Sequence, residues 1–189
     1  LYADDAAELV DELPANVVKR ILRQATPEMR SAINQILRYP ENSAGSIMTT
    51  EYVSLRPDMT VEESILRIRR QGVDKETIYT CYVTKDRKLL GLVTVKDLLL
   101  CSDDEMRVKD IMLTNLISVG THTDQEEVAR MFSKYNFLAL PVVDTENRMV
   151  GIVTFDDAMD VMEDEATEDM EIMGGMLPSE KTYLRSSAF

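Results

Sequence analysis

Histidine occurs once and cysteine twice in this sequence. Cys81 and Cys101 have no Cys or His partner at metal-type spacing, which argues against a thiolate or imidazole metal centre. Cys81 lies in an apolar segment and reads as a reduced structural thiol of cytosolic type. His122 reads as a loop residue ahead of a helix. No apolar run approaches the ~20 residues that a membrane helix needs, and no secretory signal opens the chain. Nothing resembles a P-loop, a nucleophile–base pair or a redox motif. Asp156-Asp157 is not an acid/base pair, because adjacent residues on a helix point apart. Basic residues are outnumbered, 21 against 34 acidic, for a net charge of −13. That balance disfavours nucleic acid and anionic membrane and favours cations or basic partners.

One stretch lacks basic residues altogether. Between Asp156 and Glu171 stand Asp156, Asp157, Asp160, Glu163, Asp164, Glu165, Glu168, Asp169 and Glu171, without a Lys or Arg. The stretch follows an apolar strand, Gly151 to Thr154, and has helical spacing. Like charges at i,i+4, such as Asp160/Asp164 and Glu165/Asp169, oppose an isolated helix. Solvation, basic side chains from another subunit, or hard divalent cations would offset the repulsion. On spacing alone, acidic runs are more often solvated or interaction surfaces.

Residues 1–39 carry only helical patterns. Asp4 or Asp5 caps a stripe of Leu9, Val10 and Leu13. Val17, Val18, Ile21 and Leu22 form a second stripe. Thr26-Pro27 opens a third, with Met29, Ile33, Ile36 and Leu37, and Tyr39-Pro40 ends it. Three short helices with minimal connections predict part of a helical superhelix. A polar break follows at residues 40–45.

The rest of the chain repeats itself. Ile47-Met48-Thr49-Thr50 returns as Ile111-Met112-Leu113-Thr114. Val53-Ser54-Leu55 returns as Ile117-Ser118-Val119. Thr60-Val61-Glu62-Glu63 returns as Asp124-Gln125-Glu126-Glu127, each an N-cap with Glu at N3. Gly91-Leu92-Val93-Thr94 returns as Gly151-Ile152-Val153-Thr154, with Asp97 and Asp157 three residues after the threonines. Each copy predicts strand, helix, strand, strand, helix. Ile65 and Ile68 face inward in the first copy, and Gly72 ends its helix. Val128, Met131, Phe132 and Tyr135 mark the inner face in the second. Each unit alone buries little core, so the two are expected to pack sheet against sheet.

These doubled motifs, I-M at each start, a capped amphipathic helix, and G-h-h-T-x-x-D at each end, resemble a tandem pair of CBS domains. With the helical part before the pair, the Asp124-Gln125-Glu126-Glu127 segment and the acidic run at residues 163–169, the chain resembles the cytosolic region of MgtE-type magnesium transporters. The resemblance implies an α+β protein, with an α-helical superhelical N-terminal segment, a tandem CBS (Bateman) pair and a C-terminal connecting helix. The expected divisions are a helical N domain at 1–40, CBS domains at 41–107 and 108–165, and the connecting helix at 166–189, leading towards a membrane pore domain that lies outside this sequence. It further implies a homodimer stacked through helix faces on the cytoplasmic side of a membrane, and no enzymatic activity.

The implied ligand is Mg2+, held between the helical part, the pair and the connecting helices. Residue by residue, the carry-over reaches Asp4, Asp124, Glu126, Asp157, Asp160, Glu165, Glu168 and Asp169. The plain role of Asp124 and Glu126 is capping and charge in a first helical turn. Asn136 stands where the family has Asp. ATP is the second implied ligand: Asp97 matches a ribose-contacting Asp, Lys96 meets phosphates, and Tyr79 and Phe137 sandwich a base. Their plain role is core and surface. The expected function is a magnesium sensor that gates ion entry by compaction. The competing expectation is an adenine-nucleotide-sensing CBS module of another enzyme or transporter.

Overall fold

The computed structural model describes residues 39–176 together with Thr26. The expected helices of residues 1–38, with Asp4, and the connector beyond residue 176 lie outside the described residues.

The break at residues 40–45 is not a solvated linker. Ser43, Ala44 and Gly45 are buried, and Ala44–Ile47 forms a single helical turn, α1. Tyr52–Leu55 (β1) then turns Val53 and Leu55 into the core. Val61–Gln71 (α2) starts on the expected capping box. Glu63 N donates to Thr60 Oγ1 at 3.1 Å, and Thr60 N donates to Glu63 Oε2 at 2.9 Å. Gly72 ends α2 in right-handed rather than left-handed geometry, so a 3₁₀ turn, Gly72–Asp74, continues from it. Thr77–Lys85 (β2) and Lys88–Thr94 (β3) form a hairpin. Its turn residues Asp86 and Arg87 both have positive φ, 50° and 66°, matching the right-handed twist of the strands. Val95–Leu100 (α3) closes the first copy.

The second copy follows with Val108–Ile111 (α4), Val119–Gly120 (β4), Gln125–Tyr135 (α5), Ala139–Val143 (β5), Met149–Thr154 (β6) and Phe155–Met176 (α6). Its sheet order, β4-β5-β6, repeats β1-β2-β3, with the first pair parallel and the second antiparallel in each. The expected inner face of α5 needs one correction. Tyr135 is 43% exposed and Ala129 is buried in its stead beside Val128 and Phe132. Tyr135 is the last residue of the helix: Asn136 follows in left-handed geometry (φ 54°, ψ 41°), its N–H bonded to Phe132 O. Asn tolerates that conformation better than most residues.

Each copy borrows its opening segment from the other. Thr49 exchanges hydrogen bonds of 2.8 and 2.9 Å with Ile152 of β6, and Leu113 exchanges bonds of 2.8 and 3.0 Å with Leu92 of β3. Ala44 and Met48 therefore lie in the second copy's core, and Val108 in the first copy's. The glycines of the two G-h-h-T motifs make this crossing possible. A Cβ on Gly151 would meet Met48 Sδ at 2.7 Å and Thr49 O at 2.8 Å; one on Gly91 would meet Leu113 O and Met112 Sδ, both at 2.8 Å. The sheets pack face to face, as expected, over Tyr82, Leu89, Ala139, Val143, Met149 and Ile152. Each large apolar side chain buried there contributes roughly 1.5–3 kcal/mol. Cys81 is a buried free thiol whose pKa burial pushes up to about 12, so it is an inert core residue.

Candidate functional site

The α5–α6 pair carries most of the described acidic residues singled out from the sequence. Asp124 caps α5 by accepting a 2.8 Å hydrogen bond from Glu126 N to its Oδ1. Unlike Thr60, it bonds the second helical N–H rather than the third. The cap puts Glu126 in the first turn, where the helix dipole favours a negative charge. Glu126 Oε2 also accepts a 3.0 Å charged hydrogen bond from Arg130, one turn on. Both side chains are largely exposed, so this pair contributes only about 0.3–0.5 kcal/mol. The sequence reading missed Arg130. The signal was there, since Glu ahead of Arg at i,i+4 is the favourable order.

Helix α6 packs along α5, with Ala158 and Val161 in the same core as Val128 and Phe132. One face of α6 is fixed by that packing, and two turns further on the helix brings Glu165 against Glu126. The Glu165 carboxyl has its pKa raised first by partial burial. The charges of Glu126 and Glu168, a hydrogen bond between the Glu165 and Glu126 carboxyls, and the charge of Asp169 add to the rise. Carboxylates gathered this closely repel one another, and a cation between them would relieve that repulsion. Glu168 and Asp169 are exposed on α6 close enough to act on Glu165.

The remaining acidic residues stand apart from that contact. Asp157 is half-buried at the start of α6 and accepts a 2.6 Å hydrogen bond from Thr154 Oγ1. It lies eight residues before Glu165, roughly 12 Å along the axis. Asp160 is exposed between them. Among the described residues no three His, Cys, Asp or Glu side chains converge as a ready metal cage. A carboxylate pair is nonetheless the donor set that Mg2+ takes when it keeps several of its waters. Glu126 and Glu165 fit that kind of binding better than an all-protein cage, for which the described residues offer no set of ligands.

The residues expected around a nucleotide lie on α3, on β2 and after α5. Asp97 is exposed and closes a capping box on α3: its Oδ2 accepts from Thr94 Oγ1 at 2.5 Å and from Thr94 N at 3.1 Å, while Asp97 N donates to Thr94 Oγ1 at 3.1 Å. The T-x-x-D spacing therefore has a capping role in the first copy, and in the second the threonine hydroxyl bonds the aspartate in the same way. Lys96 is exposed beside it. Tyr79 is 68% exposed on β2. Phe137 packs on the second copy's core, stacked on Tyr135 at 5.4 Å and edge-on to Phe132 at 6.4 Å. Among the described residues no ring contact joins Tyr79 to Phe137.

The chain matches the CBS domain model over residues 44–103 and 108–164, and the MgtE intracellular N domain model over residues 1–42. It is 43% identical over 173 residues, 91% of its length, to the magnesium transporter MgtE of Thermus thermophilus, and spans 38% of that relative. Among solved structures it is similar to the soluble part of a magnesium transporter, with a TM-score of 0.84, 37% identity, and coverage of 88% of this chain and 65% of the other. It is also similar to the cytosolic domain of the Mg2+ channel MgtE in complex with ATP, with a TM-score of 0.81, 43% identity, and coverage of 85% and 66%. Among the described residues no helix is long and apolar enough to cross a membrane. These relatives are magnesium transporters and the soluble or cytosolic parts of such proteins. The chain belongs to the CBS-domain family, as a tandem CBS pair joined to an MgtE N domain in the manner of MgtE cytosolic regions.

Proposed function

We propose that this chain is the magnesium-sensing regulatory region of a magnesium transporter or channel, on the cytoplasmic side of a membrane. The observation that carries the reading is the meeting of Glu126 and Glu165 across α5 and α6. Two like charges ~4 Å apart are opposed by about 1 kcal/mol in bulk water, and by several-fold more where partly desolvated. Mg2+ between them reverses the sign of the contact. Asp4, Asp124, Asp157, Asp160, Glu168 and Asp169 extend the same chemistry to the helical part and along α6. Filled with cations, the region is compact and holds the connecting helix so that entry of further magnesium stops. The ions must bind the compact form more tightly, since only differential affinity moves the equilibrium. About 10⁴-fold in total carries it from almost all open to almost all compact, shared among several weak sites. Millimolar magnesium should reduce the radius of gyration and slow proteolysis near residues 40–45 and 163–175. Replacing Asp157, Asp160, Glu165 and Asp169 together with Ala should abolish that response and leave the CBS fold intact. Identical scattering and digestion with chelator and with magnesium would end this reading.

ATP is a second ligand on this reading, at Tyr79, Lys96, Asp97 and Phe137. The support is the ATP complex of the similar cytosolic domain, with calorimetry as its check. The functional unit is a homodimer, for which exposed Leu99 and Leu100 on α3 and Met162 on α6 supply apolar helix surface. A monomer by sedimentation, with and without magnesium, would count against it.

A further inference from the structure

The open edge of the first sheet carries a cleft that none of the candidate magnesium or nucleotide residues lines. β1 is an edge strand, and Thr50, Tyr52 and Ser54 form the wall common to two adjoining cavities of about 430 and 280 Å³. Arg67 and Arg70 of α2 border the larger one. Arg87, at the β2–β3 turn, borders the smaller, which reaches the second copy at Met149 and Val150. In a chain of net charge −13, a cleft with three arginines needs an account.

The charges around it do not cancel. Lys75 is held by Glu51 at 3.3 Å, and Asp74 is the acidic side chain on the wall. Among the described residues, the ion pairs formed leave Arg67, Arg70 and Arg87 without a carboxylate partner. Arg67 Nε is buried with no acceptor at all. A buried donor without a partner is rare in a folded protein and marks a missing acceptor. Opposite stand the Ser54 and Thr84 hydroxyls, bonded to each other at 2.8 Å. In such a pair one hydroxyl donates and the other keeps its own proton free for an anion. Tyr52 lies between the arginines, and burial, only partly opposed by the charge of Arg87, raises its pKa. Its phenol is thus a donor at neutral pH.

We propose that this cleft binds a phosphate anion, with Arg67, Arg70 and Arg87 supplying charge and the Ser54–Thr84 pair supplying a neutral donor. Guanidinium groups meet phosphate oxygens in paired, planar hydrogen bonds. Three arginines from a helix and a hairpin turn suit a group with several oxygens, the end of a polyphosphate or a condensed phosphate. The site bridges α2, the hairpin and the first residues of β6, so a bound anion ties the two copies together, and Asp97 is not among the residues that line it. It is independent of the magnesium reading.

Pyrophosphate titrated calorimetrically into the 189-residue chain, with chelator present to keep magnesium off the anion, tests this directly. Saturable binding that weakens steeply with added salt is expected. Arg70 and Arg87 are exposed, so the double variant Arg70→Glu/Arg87→Glu should keep its circular dichroism and lose at least ~10-fold in affinity. Arg67→Lys, which keeps the charge but removes Nε, should bind several-fold more weakly, and Asp97→Ala should bind as the unaltered chain does. Displacement of pyrophosphate by ATP would make the natural phosphate a nucleotide's, and lack of displacement would make it a free phosphate; either supports the site. Absence of saturable heat, unchanged affinity in the double variant, or loss of binding in Asp97→Ala overturns it.

Discussion

In the first copy, the helix that starts from Thr94 stops after six residues, at Leu100. In the second, the helix that follows Thr154 runs for 22, from Phe155 to Met176. Both begin on a threonine bonded to an aspartate three residues later. α3 ends where Cys101 turns extended, and the chain then crosses the start of α2. There Met106 O and Asp104 O accept hydrogen bonds from Val61 N and Glu62 N, two donors that a helix N-terminus otherwise leaves open. α6 has no such duty and continues along α5. The charges divide along the same line. The first copy gathers arginines beside an edge strand, and the second gathers carboxylates along its closing helix. One repeated fold thus offers a cationic cleft on one half and an anionic helix pair on the other, because ligand chemistry resides in residues the fold does not need.

The shared part of the comparison is the easiest to break. Gly91→Ala and Gly151→Ala each push a Cβ to within 2.8 Å of a backbone carbonyl of the crossing segment. Each should cost about 1–3 kcal/mol, or more where the backbone cannot shift. Denaturant midpoints at unchanged m would show it. Equal losses would confirm that both copies depend on the exchange of opening segments, and a loss in one alone would show that the exchange matters on one side only.

A smaller effect separates cap from ligand in the first copy. Thr94→Ala and Asp97→Ala each remove part of the α3 capping box and should each cost about 0.5–2 kcal/mol. Only Asp97→Ala should also lower the heat of ATP binding, because Thr94→Ala leaves the carboxylate in place. If both variants bind ATP as the unaltered chain does, Asp97 is a cap and nothing more.

The smallest effect sharpens the second copy. Because the folded pKa of Glu165 is raised, the α5–α6 contact is at its most stable below the ordinary carboxylate pKa. That stability is lost as pH rises through the raised value. Protection factors of amides in residues 160–170, taken relative to the intrinsic exchange rate at each pH, should therefore rise as the pH is lowered from neutrality towards the carboxylate range. Glu165→Gln should be well protected already at neutral pH, with a flatter profile of protection against pH. Matching profiles for the two chains would place the pH response elsewhere.

The sequence carried the repeat, the strand–helix order and the caps, because those follow from local rules. Thr60 and Glu63 stand three apart, Val53 and Leu55 alternate with polar residues, and both read the same in any context. The acidic run of α6 was legible as composition. That Glu165 meets Glu126, and that Asp157 is held by Thr154, was not, since those contacts depend on how α6 lies against α5. Nor was it legible that Phe137 would pack against Phe132 and Tyr135 of its own copy while Tyr79 stays exposed on β2. Gly91 and Gly151 were visible as motif letters, yet their reason is the close passage of Met112, 21 residues after Gly91, and of Met48, 103 residues before Gly151. The arginine cleft gathers residues from β1, α2 and the β2–β3 turn, and no local pattern marks them as neighbours. Local periodicity and capping are written in adjacent residues and so determine the elements. Which elements touch is decided by burial of shared apolar surface, and only that brings distant charges to one place.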